Sequence, residues 1–212
     1  METRPDEQQL LTALTTEHFT LQGARSQTMS ESSARASIYV LSVSSALVAM
    51  GFIGQTSATG DTFNVFALTV LPTLYLLGAF TYIRLVECAA EDFRYGLAIN
   101  RIRGYYKQIA GDQANLFLLS GHDDGRGVFE NLAVPVEGRS QLFTFATVVA
   151  IINSVIGGSA VAIAASAVGA PLGAAAAVGG LVAMVSVLGW VRLAARLLAR
   201  RTGGIDPMFP TR

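Results

Sequence analysis

SQLFTFATVVAIINSVIGGSAVAIAASAVGAPLGAAAAVGGLVAMVSVLGWV, Ser140 to Val191, runs for 52 residues without Asp, Glu, Lys, Arg or His, and it is bounded by Arg139 and Arg192. A helix needs about 20 apolar residues to cross the hydrocarbon of a bilayer. The run therefore holds two spans. The first begins near Leu142, a turn follows at Gly169-Ala170-Pro171, and the second span ends at Trp190.

Within the first of these helices Ala146, Ala150, Ser154, Gly158, Ala162, Ser166 and Ala170 recur at every fourth position. In lipid, helices associate through close backbone approach, and stripes of small residues permit it. The stripe is expected to be a packing seam, with Gly169, Gly173 and Ala177 as the matching set on the next helix. Asn153 is the one amide in the stretch, suited to an interhelical hydrogen bond or to lining a cavity.

Composition agrees with a membrane protein. Hydrophobic residues make up 51% of the 212 residues and charged residues 14%, with mean hydropathy +0.46; an ordinary soluble domain carries about 25% charged residues. Fifteen basic and fifteen acidic residues cancel. No basic patch with interleaved aromatic residues stands apart from the membrane flanks, so a nucleic-acid partner is not expected. The single cysteine, Cys88, excludes an intramolecular disulfide and a thiolate metal cluster. The basic residues are Arg with one exception, Lys107, and Ala is abundant, which points to a GC-rich bacterial coding sequence.

Two further spans precede the long run. From Ala36 to Gly60 no charged residue occurs, and Ile38 to Ile53 is the apolar centre of an uncleaved first helix, too far from the start for a signal peptide. Ser37, Ser42, Ser44 and Ser45 lie in its first half, where hydroxyls bond either the preceding turn or a neighbouring helix. A polar turn at Gln55 to Asp61 leads to the second span, Thr62 to Ile83, where Pro72 removes a backbone hydrogen bond and is expected to kink the helix.

The flanking segments are helical as well. Leu11, Leu14, His18, Leu21, Arg25, Met29, Ser32 and Ala36 follow spacings of three and four, the mark of one helix face. That face lies either on the headgroups or against the middle segment. In the middle segment, Arg84 to Ser140, Tyr95, Ala98, Ile102, Tyr105 and Ile109 form a second such stripe, among Glu87, Glu91, Arg94, Arg101, Arg103 and Lys107. Gly111-Asp112 is the expected stop, Asn115 to Leu119 a short apolar patch, and Gly121 to Gly127 a loop.

Charge fixes the expected topology. The loops after spans one and three hold no Lys or Arg, whereas the N-terminal segment has Arg25 and Arg35, the middle segment seven basic residues, and the end Arg192, Arg196, Arg200 and Arg201. The positive-inside rule places both termini and the middle segment in the cytoplasm. Trp190 lies where an aromatic belt belongs, and Arg192, Arg196, Arg200 and Arg201 are expected to face anionic headgroups. The tail after Thr202-Gly203-Gly204 is expected to be irregular. The expected divisions are 1–36, an N-terminal helix; 37–84, a first hairpin; 85–140, helix and loop; 141–191, a second hairpin; and 192–212, a basic tail.

No chemistry-bearing constellation emerges. His18 and His122 are far apart, and no His, Cys or carboxylate pair has metal-ligand spacing. The string His122-Asp123-Asp124 lies in a glycine-rich loop and is expected to be solvated. There is no GxSxG, no Walker-type loop and no GxGxxG. The spans carry no central ionisable group, which disfavours ion-coupled transport and intramembrane hydrolysis. No catalytic residue, cofactor or metal is expected.

Thr16-Glu17-His18-Phe19-Thr20-Leu21-Gln22, Ala98-Ile99-Asn100-Arg101-Ile102-Arg103-Gly104-Tyr105-Tyr106 and Ser120-Gly121-His122-Asp123-Asp124 resemble strings of a family of uncharacterised actinobacterial membrane proteins. The resemblance covers roughly two-thirds of the chain and implies no particular activity or site. The order of helix, short helical hairpin and helix is similar to that of SLATT-type membrane effectors; this chain adds a second hairpin.

The expectation is an all-α, four-span inner-membrane protein with a cytoplasmic helical module. Its expected role is non-enzymatic: a homo-oligomer joined through the seam and forming a pore or perturbing the bilayer in defence or stress. The alternative is a scaffold or accessory subunit with a membrane or cytoplasmic protein partner. A small-molecule exporter ranks below both, for want of a charged or aromatic substrate site.

Overall fold

The protein is described here from a computed structural model covering residues 5–56, 60–133 and 144–211. The middle of the expected Gln55 to Asp61 turn, and the segment 134–143 with the expected start of the third span at Leu142, lie outside the described residues. Among the described residues five α-helices follow in order: α1 (Pro5–Thr56), α2 (Asp61–Ala110), α3 (Gly125–Asn131), α4 (Phe145–Ala167) and α5 (Leu172–Thr202), with a 3-10 turn at Gly111–Leu116 after α2. Helices α1, α2, α4 and α5 are each long and apolar enough to cross a membrane.

Each of the two long helices, α1 and α2, joins a polar stretch and an apolar stretch of sequence without a break in helical structure. α1 contains no internal Gly-Pro or Asn-Pro punctuation over its 52 residues, and α2 continues through Pro72. α2 stops at Gly111, whose φ of +52° belongs to the left-handed region that glycine enters at little cost. The hydroxyls of Ser42, Ser44 and Ser45 donate to the carbonyls of Ile38, Val40 and Leu41 one turn back, at 2.8 to 2.9 Å. They are therefore satisfied inside α1 rather than across a helix interface.

The chain divides into two compact units. The apolar unit comprises Ser32–Glu87 and Phe143–Ala199. Its core joins Tyr39 and Val43 of α1, Ala67, Leu71 and Leu74 of α2, and Val149, Ala150 and Ile156 of α4. Large apolar side chains cover its outside, with Val65 70% and Phe80 71% exposed, while Asn153 and Ser154 are 0% exposed inside. A protein in water has the opposite distribution.

The polar unit comprises Met1–Glu31, Cys88–Leu142 and Arg200–Arg212. The N-terminal part of α1 packs on the C-terminal part of α2, so of the two surfaces open to its stripe the middle segment is the one used. The Arg25 guanidinium pairs with Asp92 through two hydrogen bonds, 2.6 and 3.1 Å, and the Thr15 and Tyr106 hydroxyls lie 3.2 Å apart. The stripe itself needs one correction. Met29 is exposed and Thr28 is buried, because a real helix advances 3.6 residues per turn and an assumed alternation of three and four drifts off the face. Short α3 is seated by Gly96, where an added Cβ would lie 3.0 Å from Val128.

Candidate functional site: the tail clasp and the groove beside it

The loop expected to be solvated is the best-connected part of the polar unit. Asp123 is buried, and its carboxylate accepts from Arg101 Nε at 2.5 Å, from the Met208 amide at 3.0 Å and from the Phe209 amide at 2.7 Å. The Asp123 amide donates in return to the Phe209 carbonyl at 3.2 Å. Asp124 works in two directions. One oxygen caps α3 by accepting from the Gly127 amide at 2.8 Å, as an N-cap aspartate does, and the other accepts from the amide and hydroxyl of Thr211, each at 2.6 Å. Arg101 closes the arrangement by donating to the Asp206 carbonyl at 2.6 Å.

The loop that presents the two aspartates is itself fixed by amides. Asn100 Nδ2 donates to the His122 carbonyl at 2.8 Å, and Asn131 Nδ2 donates to Asn100 Oδ1 at 2.8 Å and to the Ser120 carbonyl at 3.0 Å. Gly104 leaves the space the tail needs. A Cβ there would lie 2.6 Å from the Phe209 ring and 2.7 Å from the Gly121 carbonyl oxygen. The expected irregular tail is thus non-helical but docked.

Burial alone would raise the pKa of both aspartates. It is outweighed: at Asp123 by the Met208 and Phe209 amides and the hydrogen bond and charge of Arg101, and at Asp124 by Thr211, the Gly127 amide and the charge of His122. Both carboxylates are held below the usual range and remain ionised. Elsewhere in the unit, burial and then the charge of Arg103 lower the pKa of His18. The Nε2 of His18 bonds Gln22 at 2.8 Å, while its buried Nδ1 has no hydrogen-bond partner among the described residues.

Beside the clasp runs an apolar groove of about 660 Å³. Its floor is Leu97 and Ile102 of α2, one wall is Leu14 and Leu21 of α1, and the other is Ile205 and Phe209 of the tail. Glu17 and Arg94 stand at the rim, both exposed. Volumes of a few hundred cubic ångströms with apolar walls and few polar groups are typical of small-molecule sites. The tail wall exists because Asp123 and Asp124 hold it.

In the apolar unit the seam packs as a helical hairpin of α4 on α5. Ala150, Ser154 and Gly158 are buried, Ala146 and Ala162 half-buried, and Ser166 exposed; Ala170 lies past the end of α4 in the turn. A Cβ at Gly158 would run into the Gly179 carbonyl oxygen and come within 2.9 Å of Ala183, and one at Gly179 would lie 2.6 Å from the Gly158 carbonyl oxygen. Ser154 Oγ donates to Ser186 Oγ at 3.2 Å. The expected partners Gly169, Gly173 and Ala177 are not used: Gly169 is in the turn at φ +93°, nothing lies within 4 Å of a Cβ on Gly173, and Ala177 is exposed. The true set, Ala175, Gly179 and Ala183, is two residues out of step, about 200° around the helix.

Asn153 lies against Gly78, where an added Cβ would strike its side chain, and its Oδ1 accepts from the Tyr39 hydroxyl at 3.2 Å. The Tyr82 hydroxyl donates to the Trp190 carbonyl at 2.7 Å, with the two rings 4.9 Å apart. Arg192, Arg196, Arg200 and Arg201 are all exposed along the last turns of α5.

The clasp, Arg25–Asp92 and Tyr82–Trp190 escaped sequence reasoning. One local signal was present: an Asp three residues before Gly127 at the head of a short helix is a capping pattern. Among the described residues no group of three or more His, Cys, Asp or Glu is placed to hold a metal ion. In comparisons with protein-family models, curated proteins and solved structures, nothing matches the chain.

Proposed function

We propose that this is a non-enzymatic protein of a bacterial inner membrane that works by binding: four helices anchor it, and the polar unit, in the cytoplasm with both termini, is the working surface. The observation that carries this reading is the clasp. Its two carboxylates are saturated by amide, hydroxyl and guanidinium donors, so they are spent on shaping a surface and are not poised for acid, base or nucleophilic work. The inverted exposure of the apolar unit supports lipid as its surroundings. The absence of any acidic residue from α5, with Arg192 and Arg196 exposed just beyond Trp190, supports contact with anionic headgroups there.

The small-residue seam gives less support to self-association, because α5 of the same chain occupies it. The scaffold or accessory-subunit role therefore stands ahead of the pore. Affinity-tagged full-length protein, extracted from its own host membrane in a mild detergent, should bring down a stoichiometric partner, and Asp123→Asn combined with Asp124→Asn should reduce that recovery. Purified protein in dye-loaded liposomes should be silent. Dye release without a partner would replace this reading with the pore.

A further inference from the structure

We infer that the groove of the polar unit is a site for one long-chain carboxylate, with the acyl chain lying on Leu97 and Ile102 and the carboxylate held by Arg94; the inference rests on the polar unit being the working surface. The lining selects the chain. The groove follows α2 from Arg94 to Gln108, about 21 Å at 1.5 Å per residue, and Leu14, Leu21, Leu97, Ile102, Ile205 and Phe209 give it an apolar floor and two apolar walls along that length. An elongated apolar ligand with one polar end matches such a lining.

The rim selects the head. Arg94 is exposed and has no ion-pair or hydrogen-bond partner among the described residues, whereas Arg101, one face-repeat further along α2, is committed to Asp123 and the Asp206 carbonyl. A guanidinium with free donors takes a carboxylate in a forked pair. Glu17 on the same rim adds one negative charge, which disfavours a phosphate dianion and leaves a monoanion as the matching head. The tail makes the site conditional. Ile205 and Phe209 form its second wall only while Asp123 and Asp124 hold the tail, so ligand occupancy and tail docking favour each other.

The test uses full-length protein in neutral-lipid nanodiscs and a palmitate analogue carrying a chain diazirine and a terminal alkyne. Photolabelling should map to peptides holding Leu14, Leu97 or Phe209 and should be competed by palmitate at least about tenfold better than by hexadecanol, the value of one charge-assisted contact. Ala98 also lines the groove, so Ala98→Phe should fill it and abolish groove labelling while label on the exposed face of α5, at Met184 and Leu188, persists as an internal control. Arg94→Gln should erase the preference for the acid. The inference is overturned by label confined to the apolar helices, by groove labelling that survives Ala98→Phe, or by equal competition from the alcohol. Each of those results leaves partner recovery untouched, so failure of the ligand and failure of the binding role are separately visible.

Discussion

Asp123 and Phe209 exchange hydrogen bonds across 86 residues of chain, the carboxylate accepting from the Phe209 amide at 2.7 Å while the Asp123 amide donates to the Phe209 carbonyl at 3.2 Å. A buried, ionised carboxylate costs several kcal/mol to desolvate unless donors surround it. Here three donors do so, and in consequence the last residues of the chain are a fixed wall.

Asp123→Asn should loosen that wall without unfolding the rest. The amide keeps one acceptor oxygen but turns an NH2 group toward a donor and leaves the Arg101 guanidinium without its counter-charge. The expected loss in tail docking is about 2 kcal/mol. Hydrogen exchange should show it as roughly 30-fold faster exchange at the Met208 and Phe209 amides, with amides of the apolar unit unchanged.

Acidification should weaken the polar unit in two stages. His18 has a folded pKa below its ordinary 6.5, so the unfolded state binds the extra proton first and stability falls as pH drops below 6.5. Asp123 and Asp124 also have lowered folded pKa values. Their contribution is complete above the ordinary carboxylate value of 3.8 and is lost as pH falls through the folded values. Thermal melting in a non-ionic detergent, followed from pH 7.5 down to about pH 2, should decline in both windows. His18→Gln should flatten only the upper one.

The hairpin of α4 and α5 offers a test by substitution. Gly158→Leu drives a side chain into the Gly179 carbonyl and Ala183, and overpacking of this kind costs about 1 to 3 kcal/mol or more. Gly180→Ala, on the same helix as Gly179 but with nothing within 4 Å of the added Cβ, should be tolerated, or gain about 0.5 to 1 kcal/mol from helix propensity. Equal melting temperatures for the two variants would remove the seam from the account of stability.

The four apolar helices were legible because uncharged runs of such length have few alternatives, and Gly111 was legible as a stop because the helix before it had no other. The face of α5 that meets the seam was not. Gly173, Ala177, Gly179 and Ala183 are equally small, and only the length of the turn at Gly169 decides which pair of faces meets. The clasp was less legible still. An Asp-Asp pair in a glycine-rich loop is usually solvated, and nothing local to Asp123 announces that Met208 and Phe209 will return to it. The groove shares that difficulty, since its second wall comes from the tail.

Tyr39 and Asn153 should be coupled only weakly. Their hydrogen bond is 3.2 Å long, and Asn153 Nδ2 has no partner among the described residues. Interhelical polar pairs within membranes average about 0.6 kcal/mol. A double-mutant cycle of Tyr39→Phe and Asn153→Ala, read by unfolding in mixed micelles, should return a coupling below about 1 kcal/mol. A larger value would make this pair the organising contact of the apolar unit in place of the α4–α5 hairpin.

Orientation is open to chemical test at two exposed positions. Val168, in the turn between α4 and α5, is 86% exposed, and Leu118, after the 3-10 turn of the polar unit, is 95% exposed. The turn lies inside the charge-free run Ser140 to Val191, whereas the polar unit contains most of the basic residues, so positive-inside reasoning predicts Val168 in the periplasm and Leu118 in the cytoplasm. The native Cys88 is buried, and Cys88→Ser removes it as a background. In intact cells with a permeabilised outer membrane, Val168→Cys should react with an impermeant maleimide, while Leu118→Cys should react only after the inner membrane is opened. The reverse pattern would invert the protein, and reaction at both positions in intact cells would mean that α4 and α5 do not both cross.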